Sequence, residues 1–316
     1  MHIVILDGGS TNPGDVSWAP LRALGSVTVY DSTKPEEIVE RAKDAEAVIL
    51  NRNVISREIM QKLPKLRFIG LLATGYNTVD VKAAGELGIT VCNVPLYCVE
   101  TVAQQAFALL LELCNHTEKI SAATRGGDWD KARTMSHSTH PLFELYGKTL
   151  GIVGLGAIGR KVAEAAKALG MNIVGYDPYY VSGGEGLTVY PDLAEMLPLC
   201  DIVTLHLPAN DATKGMVNKE FLASMKDGAI LLNFSRDKLV NDVDLLVALE
   251  SGKLTQYVTD FPNDNLIGRE HITLLPHLGA STPESEENCA QMAAEQLYDF
   301  LQTGNIKNSV NMPACA

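Results

Sequence analysis

The chain of 316 residues offers little that would tie it to a membrane, a nucleic acid, a metal or an oxidising compartment. Its six cysteines, at positions 92, 98, 114, 200, 289 and 315, form no C-x-x-C pair and stand in no His-rich spacing. Most lie in apolar runs, which speaks for reduced, packed thiols rather than a disulfide framework or a zinc site, and no metal is expected. No apolar run approaches the roughly 18 residues that a membrane span needs. The first six residues, Met-His-Ile-Val-Ile-Leu, read as a strand and lack the basic n-region and long apolar h-region of a secretion signal. Basic residues are in the minority. With 26 Lys and Arg against 38 Asp and Glu, the formal net charge of −12 argues against nucleic acid or an anionic membrane as a partner. Low-complexity tracts and short-period repeats are also missing. These absences leave the expectation of a soluble, cytoplasmic protein.

What is present is a globular composition, 46% hydrophobic and 20% charged, in a chain long enough for two domains with a core each. The first hundred residues alternate strand-like runs (3–6, 27–30, 47–51, 66–71, 89–92) with helical stretches such as 35–43 and 79–87. That alternation implies a parallel sheet covered on both faces, of doubly wound type. Residues 100–120 are apolar on most faces, as expected of a buried helix crossing between domains. Residues 124–140, with Gly126-Gly127 and Trp129, are too polar for core and too long for an ordinary loop. A dimer arm, an active-site flap or a plain surface excursion would each fit. From residue 150 the alternation resumes with six strands, at 150–154, 173–177, 202–206, 229–233, 256–260 and 272–276. A long helix over 281–301 follows, capped by Ser281 or Thr282, with Pro283 in its first turn, Glu284, Glu286 and Glu287 at its positive end, and Gly304 as its stop. Long helices before and after a contiguous domain predict an insertion. Residues 99–281 would form a second α/β domain within a discontinuous first domain, 1–98 plus 282–316.

The centre of the chain is Thr149-Leu150-Gly151-Ile152-Val153-Gly154-Leu155-Gly156-Ala157-Ile158-Gly159. It reads as a buried strand turning directly into a helix over 160–169. Gly154, Gly156 and Gly159 have the G-x-G-x-x-G spacing that lets a backbone bend tightly, approach a pyrophosphate and pack a helix on a strand. The helix N-terminus then offers unpaired N–H groups to the phosphate oxygens. Glycines alone could serve any tight strand-to-helix turn, and no such motif occurs in the first domain. The sharper signal is Asp177, eighteen residues past Gly159 at the end of the next strand. A carboxylate there holds a ribose 2′-hydroxyl and repels a 2′-phosphate, so NAD is expected rather than NADP. Ligands of open α/β sheets sit beyond the carboxyl ends of the strands. Three consecutive strands there end in Asn233-Phe234-Ser235-Arg236, Thr259-Asp260-Phe261-Pro262 and Pro276-His277-Leu278-Gly279. Hydride transfer to a 2-keto acid needs a cation for the carboxylate, which a guanidinium supplies, and a proton donor for the carbonyl oxygen, which an imidazole supplies.

Taken together, the run from Gly154 to Asp177, His206-Leu207-Pro208, Asn233-Phe234-Ser235-Arg236 and Pro276-His277-Leu278-Gly279-Ala280-Ser281-Thr282 resembles the D-isomer-specific 2-hydroxyacid dehydrogenase family over nearly the whole chain. The resemblance implies a NAD-binding Rossmann domain inserted into a flavodoxin-like substrate domain. It implies that Arg236 binds and polarises the substrate, that His277 is the general acid/base and that Asp260 orients the nicotinamide. It places Gly154, Gly156, Ala157, Ile158, Gly159, Asp177, His206, Leu207, Pro208, Thr213, Phe234, Ser235, Arg236, Asp260, His277 and Gly279 at the cofactor. Backbone N–H groups of Ala73, Thr74 and Gly75 would meet the substrate carboxylate. One departure stands out. The family's glutamate that hydrogen-bonds the histidine is missing from Asp260-Phe261-Pro262-Asn263-Asp264-Asn265, and Asp264 is the candidate replacement.

Residues 1 to about 143 resemble glycerate dehydrogenases (hydroxypyruvate reductases), and the remainder resembles short phosphoglycerate dehydrogenases, as a chimera or an intermediate lineage would. A phosphorylated substrate needs a dedicated cation, and near residues 71–79 only Arg52 offers one, so hydroxypyruvate is expected ahead of 3-phosphohydroxypyruvate. A NAD-sensing, corepressor-like binding protein is the rival of another class. The family resemblance and the 124–140 segment carry the expectation of a homodimer.

Overall fold

The computed structural model describes residues 1–12, 14, 16–128, 142–180, 184, 186–304 and 307–311. The chain divides into two compact units, Met1–Cys98 with Ala280–Ala316, and Val99–Gly279. The division falls two residues before the expected 281/282 boundary.

In the first unit, strands β1 (His2–Ile5), β2 (Ser26–Val29), β3 (Ala47–Leu50), β4 (Phe68–Leu71) and β5 (Thr90–Cys92) form one parallel sheet in the order β2-β1-β3-β4-β5. Side chains alternate between its faces, so a strand buried on both sides must be apolar throughout. Ile3, Ile5, Ala47, Ile49 and Phe68 pack on one face with Cys289, Ala293 and Leu297 of the C-terminal helix. Val4, Leu6, Val48, Leu50, Ile69 and Val91 pack on the other. The C-terminal helix, Pro283–Thr303, begins at Thr282, whose hydroxyl accepts the Ser285 N–H, and ends at Gly304 in the left-handed region (φ 68°). The tail then returns to β5, where Cys92 and Ser309 form an antiparallel bridge. The expected helix over 35–43 is a 3₁₀ turn, Pro35–Glu37, followed by Ile38–Ala42.

In the second unit, seven parallel strands run in the order β8-β7-β6-β9-β10-β11-β12: β6 (Thr149–Val153), β7 (Asn172–Tyr176), β8 (Leu187–Val189), β9 (Ile202–Leu205), β10 (Ala229–Asn233), β11 (Leu254–Thr259) and β12 (Ile272–Leu274). The sequence predicts six. β8 escapes because three partly exposed residues at a sheet edge carry no apolar run. Leu150, Ile152, Ile202, Ile230, Leu232 and Val258 face the helix Val99–Asn115, which packs on Ala157–Ala168. Val203, Leu205, Leu231 and Tyr257 fill the opposite face.

The expected single helix over 100–120 is broken. His116 adopts the left-handed conformation (φ 46°), and a second helix, Thr117–Ala123, starts after it. Of the polar 124–140 segment, Thr124–Asp128 forms a π-helical turn, and the rest, Trp129 included, lies outside the described residues. No described helix is long and apolar enough to cross a membrane.

Candidate active site

β6 and β9 are neighbours, while β7 lies on the far side of β6, so the strand order reverses at the end of β6. The glycine turn sits at that reversal, where such sheets bind ligands. Each glycine has its own reason. Gly154 has φ +99°, and a side chain there would meet the His206 carbonyl oxygen at 2.4 Å. At Gly159 a Cβ would stand 2.0 Å from the Gly154 carbonyl oxygen. A Cβ at Gly156, the N-cap of the following helix, would enter open space. That helix starts at Ala157, three residues earlier than the sequence suggests, because a glycine within the first turn permits the strand-to-helix contact. The N-cap has no side chain to occupy the N–H groups of Ala157, Ile158 and Gly159, which leaves them for an anion. Asp177 closes the far side: its carboxylate accepts the Leu155 N–H at 2.8 Å and the Tyr179 N–H at 2.9 Å.

Beyond β9, the Leu207 N–H donates to Ser235 Oγ (3.0 Å), and that hydroxyl donates to the Leu205 carbonyl (2.9 Å), which ties the 206–208 loop to the end of β10. Thr213 Oγ1 donates to the Pro208 carbonyl (2.7 Å) and shapes the same loop. Phe234 stacks near the His206 ring, with centroids 6.4 Å apart. His206 Nε2 meets Thr204 Oγ1 at 2.9 Å, but Nδ1 is buried with no partner. Burial pushes the His206 ring well down, to about 4, so it is neutral near physiological pH.

Strands β10, β11 and β12 end level, since Asn233 pairs with Thr259 and Thr259 with Leu274. Arg236, Asp260 and His277 therefore leave the sheet at one edge. Asn233, fully buried, holds the Arg236 turn by donating to the Arg236 carbonyl (2.9 Å) and accepting the Ser235 N–H (3.0 Å). His277 follows β12 with φ +51° and a side chain 54% exposed, and its Nδ1 faces Asp260 Oδ2 at 3.4 Å. That pairing leaves Nε2 for a reacting oxygen. Asp260 is only 2% exposed; its Oδ1 is buried and unpartnered, while Gln105 Nε2 donates to Oδ2 at 3.4 Å. Gly279 makes room for this group, since a Cβ there would lie 3.3 Å from Asp260 Oδ2.

Asp264 is exposed and does not pair with His277; its neighbours Asn263 and Asn265 are instead tied to Asp242. Sequence reasoning also passed over Gln105, Asn233 and Phe261 as site residues. Only Asn233 and Phe261, lying inside the quoted strand-end motifs, had a signal that could have marked them.

Two orphaned buried atoms, His206 Nδ1 and Asp260 Oδ1, the open space at Gly156 and the free helix N-terminus all fit a dinucleotide along this edge. Among the described residues, no cluster of His, Cys, Asp or Glu could hold a metal.

In the first unit, Ala73, Thr74 and Gly75 follow β4. Thr74 Oγ1 donates to the Val94 carbonyl (3.0 Å), and the Ala73 carbonyl accepts the Val94 N–H (3.0 Å). The N–H groups of Ala73, Thr74 and Gly75 find no acceptor among the described residues. After β3, the buried Asp7 carboxylate accepts the N–H groups of Asn51, Arg52 and Asn53, leaving the Arg52 side chain exposed.

The second unit thus defines a dinucleotide-binding α/β protein with an arginine, a carboxylate and a histidine at one sheet edge. Residues 107–279 match the model of the D-isomer specific 2-hydroxyacid dehydrogenase, NAD binding domain. The chain is 41% identical to a hydroxypyruvate reductase of Blautia hydrogenotrophica, across 98% of this chain and 100% of that protein. It is 35% identical to a D-3-phosphoglycerate dehydrogenase of Methanocaldococcus jannaschii, across 93% of this chain and 57% of that one. The structure of a D-lactate dehydrogenase from Escherichia coli superposes with a TM-score of 0.85 at 24% identity, covering 98% of this chain and 100% of that one, a likeness of fold. The protein belongs to the D-isomer-specific 2-hydroxyacid dehydrogenase family, with NAD as its cofactor. A single relative spans both halves of the chain that the sequence assigns to different branches.

Proposed function

We propose that this protein interconverts hydroxypyruvate and D-glycerate with NAD. The observation that carries the reading is the convergence of His277, Asp260 and Arg236 at the level ends of β10, β11 and β12, on the sheet that carries the glycine turn. The bound nicotinamide would supply the hydride as NADH in reduction and take it up as NAD+ in oxidation. Arg236 holds the substrate carboxylate through its paired N–H groups. His277 delivers a proton from Nε2 to the carbonyl oxygen during reduction and takes it back during oxidation. Asp260, rather than Asp264, faces it at Nδ1 and orients the ring so that Nε2 is presented to the substrate. Asp260 Oδ1, otherwise orphaned, is left for the nicotinamide side. Asp177 receives the ribose hydroxyls, and the first-turn N–H groups of Ala157–Ala168 receive the pyrophosphate. His206, Leu207, Pro208, Thr213, Phe234, Ser235 and Gly279 line the remaining cofactor edge; the open N–H groups of residues 73–75 are the first unit's own candidates for a carboxylate.

The similarity to the Blautia hydroxypyruvate reductase over both full lengths supports this substrate. A second substrate, 3-phosphohydroxypyruvate, is favoured by one observation, the exposed side chain of Arg52, whose backbone N–H is held by Asp7. Comparing kcat/KM for the two keto acids with NADH decides between them: hydroxypyruvate is expected to be the better substrate by tenfold or more, and the opposite order overturns the assignment. A corepressor-like protein would bind NADH and turn over neither. The family reading also carries a homodimer in the cytoplasm; light scattering at about twice the 34.1 kDa chain mass tests the dimer.

A further inference from the structure

Phe261 follows Asp260 directly, and its ring touches both groups assigned to the reaction. Its centroid lies 4.4 Å from that of the His277 imidazole, with the planes inclined at 42°. The Arg236 guanidinium carbon lies over the same ring, 5.4 Å from its centroid. The ring is half-buried and belongs to neither hydrophobic cluster of the second unit, so core packing does not account for its place. Its backbone is pinned: the Phe261 N–H donates to Thr259 Oγ1 (3.1 Å), and that hydroxyl donates to the Asn233 carbonyl (2.9 Å). The backbone that carries the ring is thus tied to the ends of β10 and β11.

In the state competent for reduction, Arg236 and a protonated His277 are both cationic. A shared ring keeps them within about 10 Å of each other while its negative face attracts each. The other groups facing His277 are the Asp260 carboxylate from β11 and, behind it, the neutral Gln105 amide from the helix Val99–Asn115. The Asp260 carboxylate faces His277, while the aromatic ring is shared by both cations.

We propose that Phe261 is a positioning residue that spaces Arg236 and His277 for a 2-keto carboxylate and holds both cations on its ring. The inference rests on the reaction proposed above. Leucine at this position keeps most of the volume but has no quadrupole; tyrosine keeps the ring.

The test uses the full-length F261L and F261Y variants. kcat and KM for hydroxypyruvate with NADH are followed across pH, beside NADH affinity by fluorescence titration and thermal stability. F261Y is expected to track the wild type. F261L is expected to lose roughly tenfold in kcat from misplacement of the two groups. The pH at which its reduction rate is half lost is expected to move down by about half a unit. Its NADH affinity and melting temperature are expected to stay at wild-type values. The proposal is overturned if F261Y falls as far as F261L, or if F261L keeps the wild-type rate and profile. Should F261L fail to fold, F261M replaces it with the same expected losses. A wild-type protein that turns over no 2-keto acid refutes the reaction itself, a result distinct from a variant series without effect.

Discussion

Gly156→Ala and Gly159→Ala test the cofactor turn because the structure predicts opposite kinds of failure three residues apart. At Gly159 the new methyl would stand 2.0 Å from the Gly154 carbonyl oxygen and 3.2 Å from Ile152 Cγ2. The first obstacle is backbone, and no rotamer relieves it, so the helix Ala157–Ala168 must lift from β6. Overpacking of this kind costs about 3 kcal/mol, the upper end of the usual range. For a domain of this size that lowers the melting temperature by roughly 6–12 °C. At Gly156 the same methyl meets nothing within 4 Å and φ is −64°, which alanine adopts without strain. Stability should then change by no more than about 1 kcal/mol, since neither residue caps the helix with a side chain. The methyl instead fills the space through which a pyrophosphate would approach, and NADH affinity should fall by tenfold or more, about 1.4 kcal/mol. Differential scanning fluorimetry and NADH fluorescence titration measure the two effects. A Gly156→Ala variant that binds NADH within about twofold of wild type, or a Gly159→Ala variant that melts with wild type, would refute the geometry.

Asp260→Asn keeps the shape but removes the charge facing His277, so reduction of hydroxypyruvate should fall about tenfold at alkaline pH and less in acid, while Asp264→Asn follows wild type. The reverse pattern in the pH–rate profiles would return the role to Asp264. His206 supplies a stability signature. Its folded value is depressed to about 4 from 6.5, so the unfolded chain binds the proton first and stability is lost as pH falls below 6.5. Relative to His206→Asn, the wild type should lose about 2 kcal/mol between pH 7 and pH 5 in urea titrations, and a constant difference would contradict the neutral buried ring. Burial raises the thiols of Cys92 and Cys200 to about 12 and that of Cys114 to about 11. Mass spectrometry after iodoacetamide treatment at pH 8 should find these three unmodified in the native protein and alkylated in urea.

By itself the sequence determined whatever depends on chain that is close together. Strand and helix alternation follows from periodicity within ten residues, and the glycine turn and Asp177 lie within one βαβ unit, so both were readable without a fold. The strand-end residues Arg236, Asp260 and His277 were also readable, because doubly wound sheets place ligands at that edge whatever the details. The breaks came where a position is set by neighbours distant in sequence. β8 exists because β7 offers a free edge, and its own residues carry no apolar run to announce it. The histidine's partner was expected at Asp264, 13 residues away, and lies at Asp260, 17 away. Sequence spacing cannot rank those two carboxylates. The level ends of β11 and β12 can, because parallel register brings one into the sheet edge while the loop, with Asn263 and Asn265 tied to Asp242, turns the other out to solvent. The contact of Phe261 with Arg236 and His277 has the same origin: three strands adjacent in space, whose ends lie 26 and 15 residues apart in the chain, end at one height.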